Sequence, residues 1–435
     1  MGTNGRRRHK VLSQQCHNQI QEKLDNVLEA SDGSIANEHG EKEKNVWEDF
    51  KDRLGTLEFL GFQLDPAQFI QPSIQLQSLD LPFLHEEIDA IVRSLPNNKS
   101  PRPDGFNNEF LKKSWPTIKC DFYDLCNDFY NHPVYLRSIN SSYKTLIPKI
   151  DGARKVKDFK PISLLNLSVK LLTKLLANRL QPLITSLVHK KQYGFIKKRT
   201  IQDYVEWAYE YIHLCQHSKK EIVILRLDFE KAFDKIEHHV MITLMKAKGF
   251  SDRWLKWMQD IFYSGTFAVL LNGSPGKTFH CRRGVRQGDP LSPLLFVMAA
   301  DLLQSMINKG KAMGLLKLPI PTGSSDDFPV IQYADDTLIV AEGDAKKLFF
   351  LKSILNTFSL STGLKINFNK SMMTPINISE EKIQILARTF GCSIGNLPFT
   401  YLGLPLSITR PRAQDFMPMV NKCEKRLTYV SPFLN

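Results

Sequence analysis

The residue types that could do chemistry are concentrated in a few short stretches. Asp335 and Asp336 stand side by side between two apolar runs, Val330-Ile331 before them and Leu338-Ile339-Val340 after. That pattern predicts strand, tight turn and strand, with the acids at the turn. Adjacent like charges repel, so one carboxyl tends to keep its proton unless a cation is near. A divalent cation would turn the pair into a tool. Asp is also a common turn residue, and taken alone the pair is more simply a solvated turn. Further upstream, Ile222-Val223-Ile224-Leu225-Arg226-Leu227 leads to Asp228, which predicts a buried strand with the acid at its tip. A buried carboxylate without partners is costly, so Asp228 needs a cation, a hydrogen-bonding cap or solvent. Capping a helix begun by Glu230-Lys231-Ala232 would serve as well. Phe233 could wall a pocket beside Asp228, or pack in the core as most phenylalanines do. Between these acids, Arg282 to Phe296 is a basic loop entering an apolar helix. Gly284 and Gly288 would let its backbone approach a ligand closely, and helix N-termini favour phosphates.

The elements that must position these residues belong to a chain of ordinary globular composition. Its 435 residues allow two to three structural units, and 42% hydrophobic with 24% charged residues is typical of a folded domain. The net charge of +13 suits a partner with a phosphate backbone or another anionic surface. The first thirty residues are polar and unlike a signal peptide. Leu294 to Leu303 is short and interrupted by Asp301, so it is expected as a core helix and not a membrane span. Seven scattered cysteines without a C-x-x-C pair argue for a reducing, intracellular setting, nucleus and/or cytoplasm, and against a disulfide framework or zinc knuckle. His213 and the pair His238-His239 lack ligand-like partners in the sequence and are expected as surface or helix residues.

Along the chain, residues 1–78 are mixed and polar, a segment of expected flexibility. Arg6-Arg7-Arg8-His9-Lys10 is either a nucleic-acid or nuclear-localisation patch or a solvated basic end. Val11 to Ala30 has loose helical spacing. A helix is expected from Leu81 to about Leu95, then a loop from Pro96 to Gly105, then two helices from Phe106 to Tyr130 broken near Pro116. Lys144 to Gly152 predicts a strand entering a hairpin, with Phe159 to Leu164 returning. The lysines of this hairpin, with Lys155 and Lys157, form a cationic patch that could hold a triphosphate or a template strand, or serve solubility. Helical spacing runs from Leu167 to Leu187 and ends in a basic cluster from His189 to Arg199. After the acidic hairpin, Lys346 to Leu360 predicts an amphipathic helix, Ser361 to Ser371 a turn and basic strand, and Tyr401 to Leu406 a short apolar strand or turn.

Order adds what no single stretch provides. Asp228-Phe229-Glu230-Lys231-Ala232-Phe233-Asp234, then Arg286-Gln287-Gly288-Asp289-Pro290-Leu291-Ser292-Pro293, then Tyr333-Ala334-Asp335-Asp336 resembles the reverse transcriptases of non-LTR (LINE-type) retrotransposons, the plant members most closely. Leu146-Ile147-Pro148-Lys149, Pro161-Ile162-Ser163-Leu164, Gly363-Leu364-Lys365-Ile366-Asn367 and Tyr401-Leu402-Gly403-Leu404-Pro405-Leu406 agree with it, so the match spans roughly Leu81 to Leu406. The resemblance implies an α+β right-hand polymerase fold with fingers and palm, an antiparallel palm sheet with packed helices, and a thumb mostly absent. Residues 79–143 would be a helical N-terminal extension, 144–406 the fingers and palm, and 407–435 the start of a thumb.

By the same resemblance, Asp228, Asp335 and Asp336, with the backbone carbonyl of Phe229, would hold two Mg²⁺ ions, Mn²⁺ being the alternative. One ion would activate a primer 3′-hydroxyl and the other steady the leaving pyrophosphate. Phe233 would exclude a ribose 2′-hydroxyl. Gln287 and Gly288 would line the nucleotide and template side, Lys149 and Lys160 would reach the triphosphate, and Tyr401-Leu402-Gly403 would grip the primer. The implied partners are an RNA template, a DNA primer and deoxynucleoside triphosphates, with no membrane.

The match has departures. Lys160 stands where the family usually has Arg, which keeps the charge and loses the bidentate fork. Arg102 stands where glycine is usual, and would be strained if the position needs positive φ. Tyr193 to Arg199 matches a finger segment loosely. Residues 1–78 are too few for the endonuclease domain that usually precedes this region, and no zinc knuckle or RNase H acid set follows Leu406. Three readings follow: an RNA-directed DNA polymerase core, a catalytically dead nucleic-acid-binding relic, and a metal-dependent nuclease. The last explains the acids but not the Gln-Gly-Asp-Pro loop or Phe233.

Overall fold

The computed structural model describes residues 28–29, 33–57, 64–97, 102–131, 136–321, 327–407 and 412–430. In chain order the elements used below are helices α1 (His39–Gly55), α2 (His85–Ser94) and α3 (Asn108–Asn131), strands β1 (Ser141–Pro148) and β2 (Phe159–Leu165), helices α4 (Leu167–Leu180) and α5 (Ile201–His217), strand β3 (Ile222–Leu227), helices α6 (His238–Ala247) and α7 (Asp252–Tyr263), strand β4 (Thr266–Leu271) and helix α8 (Ser292–Ala312). Strands β5 (Val330–Tyr333) and β6 (Asp336–Glu342), helix α9 (Ala345–Thr362), strand β7 (Met372–Ile376), helix α10 (Glu380–Phe390) and strands β8 (Ser393–Ile394), β9 (Phe399–Tyr401) and β10 (Leu404–Leu406) follow. The mixture is α+β, in two compact units.

Unit 1 takes in residues 1–59, 72–183 and 233–296. Its sheet runs β2–β1–β4, with β1 antiparallel to β2 and parallel to β4. The hairpin expected around Lys149 is therefore present, with Ile147 opposite Lys160. One end of the sheet packs Leu146, Phe159 and Phe267 against Val46, Phe50 and Leu54 of α1. Those three helix residues repeat every fourth position and lie on one stripe. Residues 39–55 are thus a core helix, where the sequence suggested a flexible polar segment; its apolar stripe is sparse among charges. Leu28–Glu29 pairs with Ile35–Ala36 as strand, not helix. The basic stretch 6–10 lies outside the described residues.

Helix α3 is continuous through Pro116, against the expected break. Trp115 and Tyr123, on either side of the proline, both donate to Asp89 Oδ1 of α2, at 2.8 and 2.7 Å. Leu111 and Phe129 are buried on the same helix. Contacts on both sides hold the helix across the missing N–H. Arg102 escapes strain because the positive φ of its loop falls on Gly105, at +79°; its buried guanidinium donates to Asn108.

Lys144 corrects the cationic patch. It sits on the inward face of β1, fully buried, with Nζ 4.6 Å from the Phe267 ring centroid. Burial pulls its pKa down, opposed by the Asp234 charge. His238, expected at a surface or on a helix, is a buried helix residue: Nε2 bonds the Gly284 carbonyl at 2.9 Å and the ring stacks on Phe262. Burial lowers its pKa to about 4. An unfolded His titrates near 6.5, so stability is complete above that pH and is lost as pH falls through the folded value. We expect about 3 kcal/mol to disappear between pH 7 and pH 4 through this group. Denaturant midpoints followed by tryptophan fluorescence, with His238→Gln flattening the slope, check this.

Unit 2 takes in residues 60–71, 184–232 and 297–435. Its five-stranded sheet has the order β8–β7–β3–β6–β5, with β3 at the centre and antiparallel to both β6 and β7. Ile222, Val223, Ile224, Leu225 and Leu227 are all at most 2% exposed, so the apolar run is a strand covered on both faces. One face meets α5 and the β9–β10 hairpin through Tyr204, Ile212, Ile331, Leu338 and Tyr401. Helix α9 spans the expected amphipathic stretch and ends at Gly363 in the left-handed region. The expected basic strand before Ser371 is not formed. Residues 364–371 are an irregular turn with a single bridge, Ile366 to Phe229, and the strand begins at Met372.

Candidate functional site

The carboxylates of unit 2 meet at one end of its sheet. Thr337 is the partner of Leu227 in the β3–β6 ladder. Asp336, one residue before, and Asp228, one residue after, therefore share that end. Strand alternation also puts them on one face, the face carrying Ile222, Ile224, Leu338 and Val340. Asp336 pairs with Tyr333 to close the β5–β6 hairpin, and Asp335 lies in its turn. The strand, turn and strand reading of this stretch is thus realised.

Electrostatics record the proximity. Burial pushes the Asp336 carboxyl up to about 6, with the Asp335 charge next in effect; Arg226 opposes and Asp228 adds to the rise. Burial also raises Asp228, with Asp335 contributing and Lys370 opposing. Asp336 and Asp228, each held up by burial and by the Asp335 charge, form with Asp335 an oxygen-donor set to which a hard divalent cation is suited. Among the described residues no cluster of three or more His, Cys, Asp and Glu side chains is drawn together closely enough to hold a metal ion. The acids share a sheet end and a field without forming a closed cage.

Asp228 does not cap a helix. Its backbone N–H donates to Ser371 Oγ at 3.1 Å and its carbonyl accepts from Asn367 N at 2.8 Å. The irregular turn after α9 thus secures the strand tip. Phe229, whose carbonyl was proposed as a ligand, is buried with its ring 6.3 Å from that of Phe358. The Tyr401 side chain points inward, 2% exposed, stacked on Tyr204. Burial and the Asp336 charge push its pKa far up. Leu402 and Gly403, with φ of +51° and +84°, form the hairpin turn.

The segment 191–194 was legible as part of a basic cluster and, from Tyr193, of a loose match to a finger segment. In the structure it lies beside β5. Gln332 N donates to Lys191 O, and Tyr193 N donates to Gln332 O. Gln192 is 1% exposed, and its Oε1 accepts from Gly194 N at 3.0 Å and from Ala334 N at 3.1 Å. On α5, His213 and His217 are one turn apart with Nε2 atoms 3.0 Å from each other, so His213 has a partner after all.

In unit 1 the Gln-Gly-Asp-Pro loop docks on β2. Ser163 N donates to Gln287 O at 2.7 Å. A Cβ at Gly288 would lie 2.9 Å from Ser163 O, and one at Gly284 2.8 Å from Asp234 O. The glycines permit close approach to the protein's own backbone, where a ligand was expected. Asp289 Oδ2 caps α8 through Ser292 N at 2.9 Å. Phe233 is half-buried and stacks on Phe296, with centroids 4.5 Å apart. Lys149 and Lys160 are exposed on the β1–β2 hairpin, and Lys149 Nζ donates to Lys157 O at 2.9 Å.

Residues 147–406 match the family model for reverse transcriptase (RNA-dependent DNA polymerase). The chain belongs to the reverse transcriptase family, in agreement with the non-LTR resemblance of its motifs. Similar proteins include the transposon TX1 uncharacterized 149 kDa protein of Xenopus laevis, 28% identical over 79% of this chain and 26% of that protein. The Retrovirus-related Pol polyprotein from type-2 retrotransposable element R2DM of Drosophila melanogaster is 28% identical over 82% of this chain and 34% of its own length. The RNA-directed DNA polymerase from mobile element jockey, also from Drosophila melanogaster, is 24% identical over 62% and 28% respectively. The chain thus spans between a quarter and about a third of these relatives. All three are animal proteins and do not bear on the plant-like part of the resemblance. Among the described residues no helix is long and apolar enough to cross a membrane, and the six described cysteines are free.

Proposed function

We propose that the chain is the core of an RNA-directed DNA polymerase that extends a DNA primer on an RNA template with deoxynucleoside triphosphates. The observation that carries this reading is the antiparallel β3–β6 pairing, which gathers Asp228, Asp335 and Asp336 at one sheet end. The sheet of unit 2 is the palm, the β1–β2 hairpin belongs to the fingers, residues 79–143 are the helical extension, and residues 407–435 begin a thumb.

Asp228, Asp335 and Asp336 would hold two divalent cations, Mg²⁺ or Mn²⁺, with the Phe229 carbonyl as a further donor. When bound, these supply Lewis-acid stabilisation of the attacking and leaving oxygens. The protein's own part is orientation and charge. The acids provide the negative field, Ser371 and Asn367 hold the strand tip, and the turn of Leu402 and Gly403 offers backbone to the primer. In unit 1, Lys149 and Lys160 offer cations to a triphosphate, Gln287 and Gly288 line the nucleotide and template side, and Phe233 restricts the sugar.

Primer extension on an RNA template with Mg²⁺ tests the reading, and template-directed addition is expected. Phe233→Val should raise ribonucleotide use relative to deoxynucleotide by about 10- to 100-fold, measured as the ratio of kcat/KM. A folded chain that binds template and primer in a salt-sensitive way without extending would instead be a nucleic-acid-binding relic. Duplex cleavage without nucleotide would point to a nuclease.

A further inference from the structure

We propose that Gln192 is a positioning residue for the acidic turn: its buried side-chain carbonyl holds Ala334 in the conformation that presents Asp335. Ala334 has φ of +58°, a left-handed conformation that a residue with a Cβ adopts at a cost of about 1 kcal/mol. A turn strained in this way relaxes unless its surroundings hold it. The backbone N–H of Ala334 donates to Gln192 Oε1 at 3.1 Å, one residue before Asp335. The same oxygen accepts from Gly194 N at 3.0 Å, so both lone pairs are used by main-chain donors from two separate segments.

The clamp is itself braced. Gln192 Nε2 lies 3.5 Å from Gln332 Oε1, and Gln332 Nε2 donates to Ala300 O at 3.2 Å. Arg199 Nη1 donates to the backbone carbonyl of Gln192 at 2.6 Å and to that of His189 at 2.7 Å. Gln192 and Gln332 are 1% and 2% exposed, so water does not compete for these bonds. A glutamine that served only to satisfy a core would not need to span the turn that carries the acids. Here its oxygen fixes the one residue between β5 and the carboxylates that has a disfavoured φ. Carboxylates placed by a rigid turn meet their cations and substrate without reorganisation at the moment of reaction.

The effect on rate rests on the polymerase reading; the clamp itself does not. The test uses the full chain. In the parent, the Ala334 amide should exchange with solvent at least about 10-fold more slowly than an open turn amide, and an unprotected Ala334 overturns the proposal without any variant. Gln192→Met keeps the length and removes the acceptor. Ala334 exchange should then quicken by a similar factor. The kcat for primer extension should fall about 10- to 100-fold, while KM for deoxynucleotide and affinity for template and primer stay within about two-fold. Unchanged exchange, or a kcat equal to the parent's, overturns the proposal. A parent that cannot extend primers defeats the polymerase reading, and the exchange result alone then decides the clamp.

Discussion

Asp228→Asn and Asp335→Asn should each lower primer extension by at least about 1000-fold while leaving the chain folded. Asparagine keeps the size of the side chain and removes its charge, so what is lost is the field that attracts hard cations. Asp336 differs in degree. It is partly open to water, and its carboxyl is already held at about 6 by burial and by Asp335. A carboxyl whose folded pKa lies above its unfolded value weakens the fold as pH rises between the two, and the whole penalty is present at pH 7. Asp336→Asn removes it. Solvent screening limits the gain to at most about 1 kcal/mol, seen as a small rise in Tm in buffer without divalent cation. On the two-cation proposal Mg²⁺ should stabilise the parent further, and the same variant should lose most of that gain. Single-turnover extension and thermal unfolding with and without Mg²⁺ measure both effects. Asparagine variants that extend at parental rates would remove these acids from the chemistry.

The second large effect is steric. Gly194→Ala should cut activity by at least about 100-fold and destabilise unit 2 by about 1–3 kcal/mol or more. A Cβ built on Gly194 lies 2.3 Å from Ala334 N, 2.8 Å from its Cα and 2.9 Å from its Cβ. All three atoms belong to the residue that leads into Asp335, and two of them are backbone, which cannot swing aside as a long side chain can. Either the 191–194 segment withdraws from β5 or the acidic turn moves. Both outcomes disturb Gln192, which bonds the two segments at once. Denaturant unfolding gives the stability term, and extension at a temperature where the variant is folded gives the catalytic one. Wild-type behaviour in both assays would mean that the contact yields at little cost.

What could be read from the sequence follows from how local each signal is. The apolar run before Asp228 and the acid pair between two apolar runs are continuous in sequence, so strand, tip and turn were legible there. The β1–β2 hairpin was legible for the same reason. Gln192 was not, because its partner at Ala334 is more than a hundred residues away and nothing in Gln192-Tyr193-Gly194 announces that pairing. Lys144 was misread because a lysine is almost always exposed; only alternation along β1 turns it inward. The helix through Pro116 was misread because its restraint comes from Asp89 on another helix. In the loop around Gly284 and Gly288 the need for glycine was legible, and the neighbour requiring it was not.

The order of strands in unit 2 also bears on how the protein is made. β3 is synthesised first, and both neighbours that cover its edges, β6 and β7, come later in the chain. Ile376 emerges about 150 residues after Leu227, roughly 10–30 s later at ordinary ribosome speeds. Until β6 is complete at Glu342 both edges of Ile222 to Leu225 are unpaired, and until β7 follows one edge stays open, a segment suited to pairing with another copy. Keeping this strand from pairing with other copies during synthesis is therefore a demand on folding separate from the stability of the finished sheet.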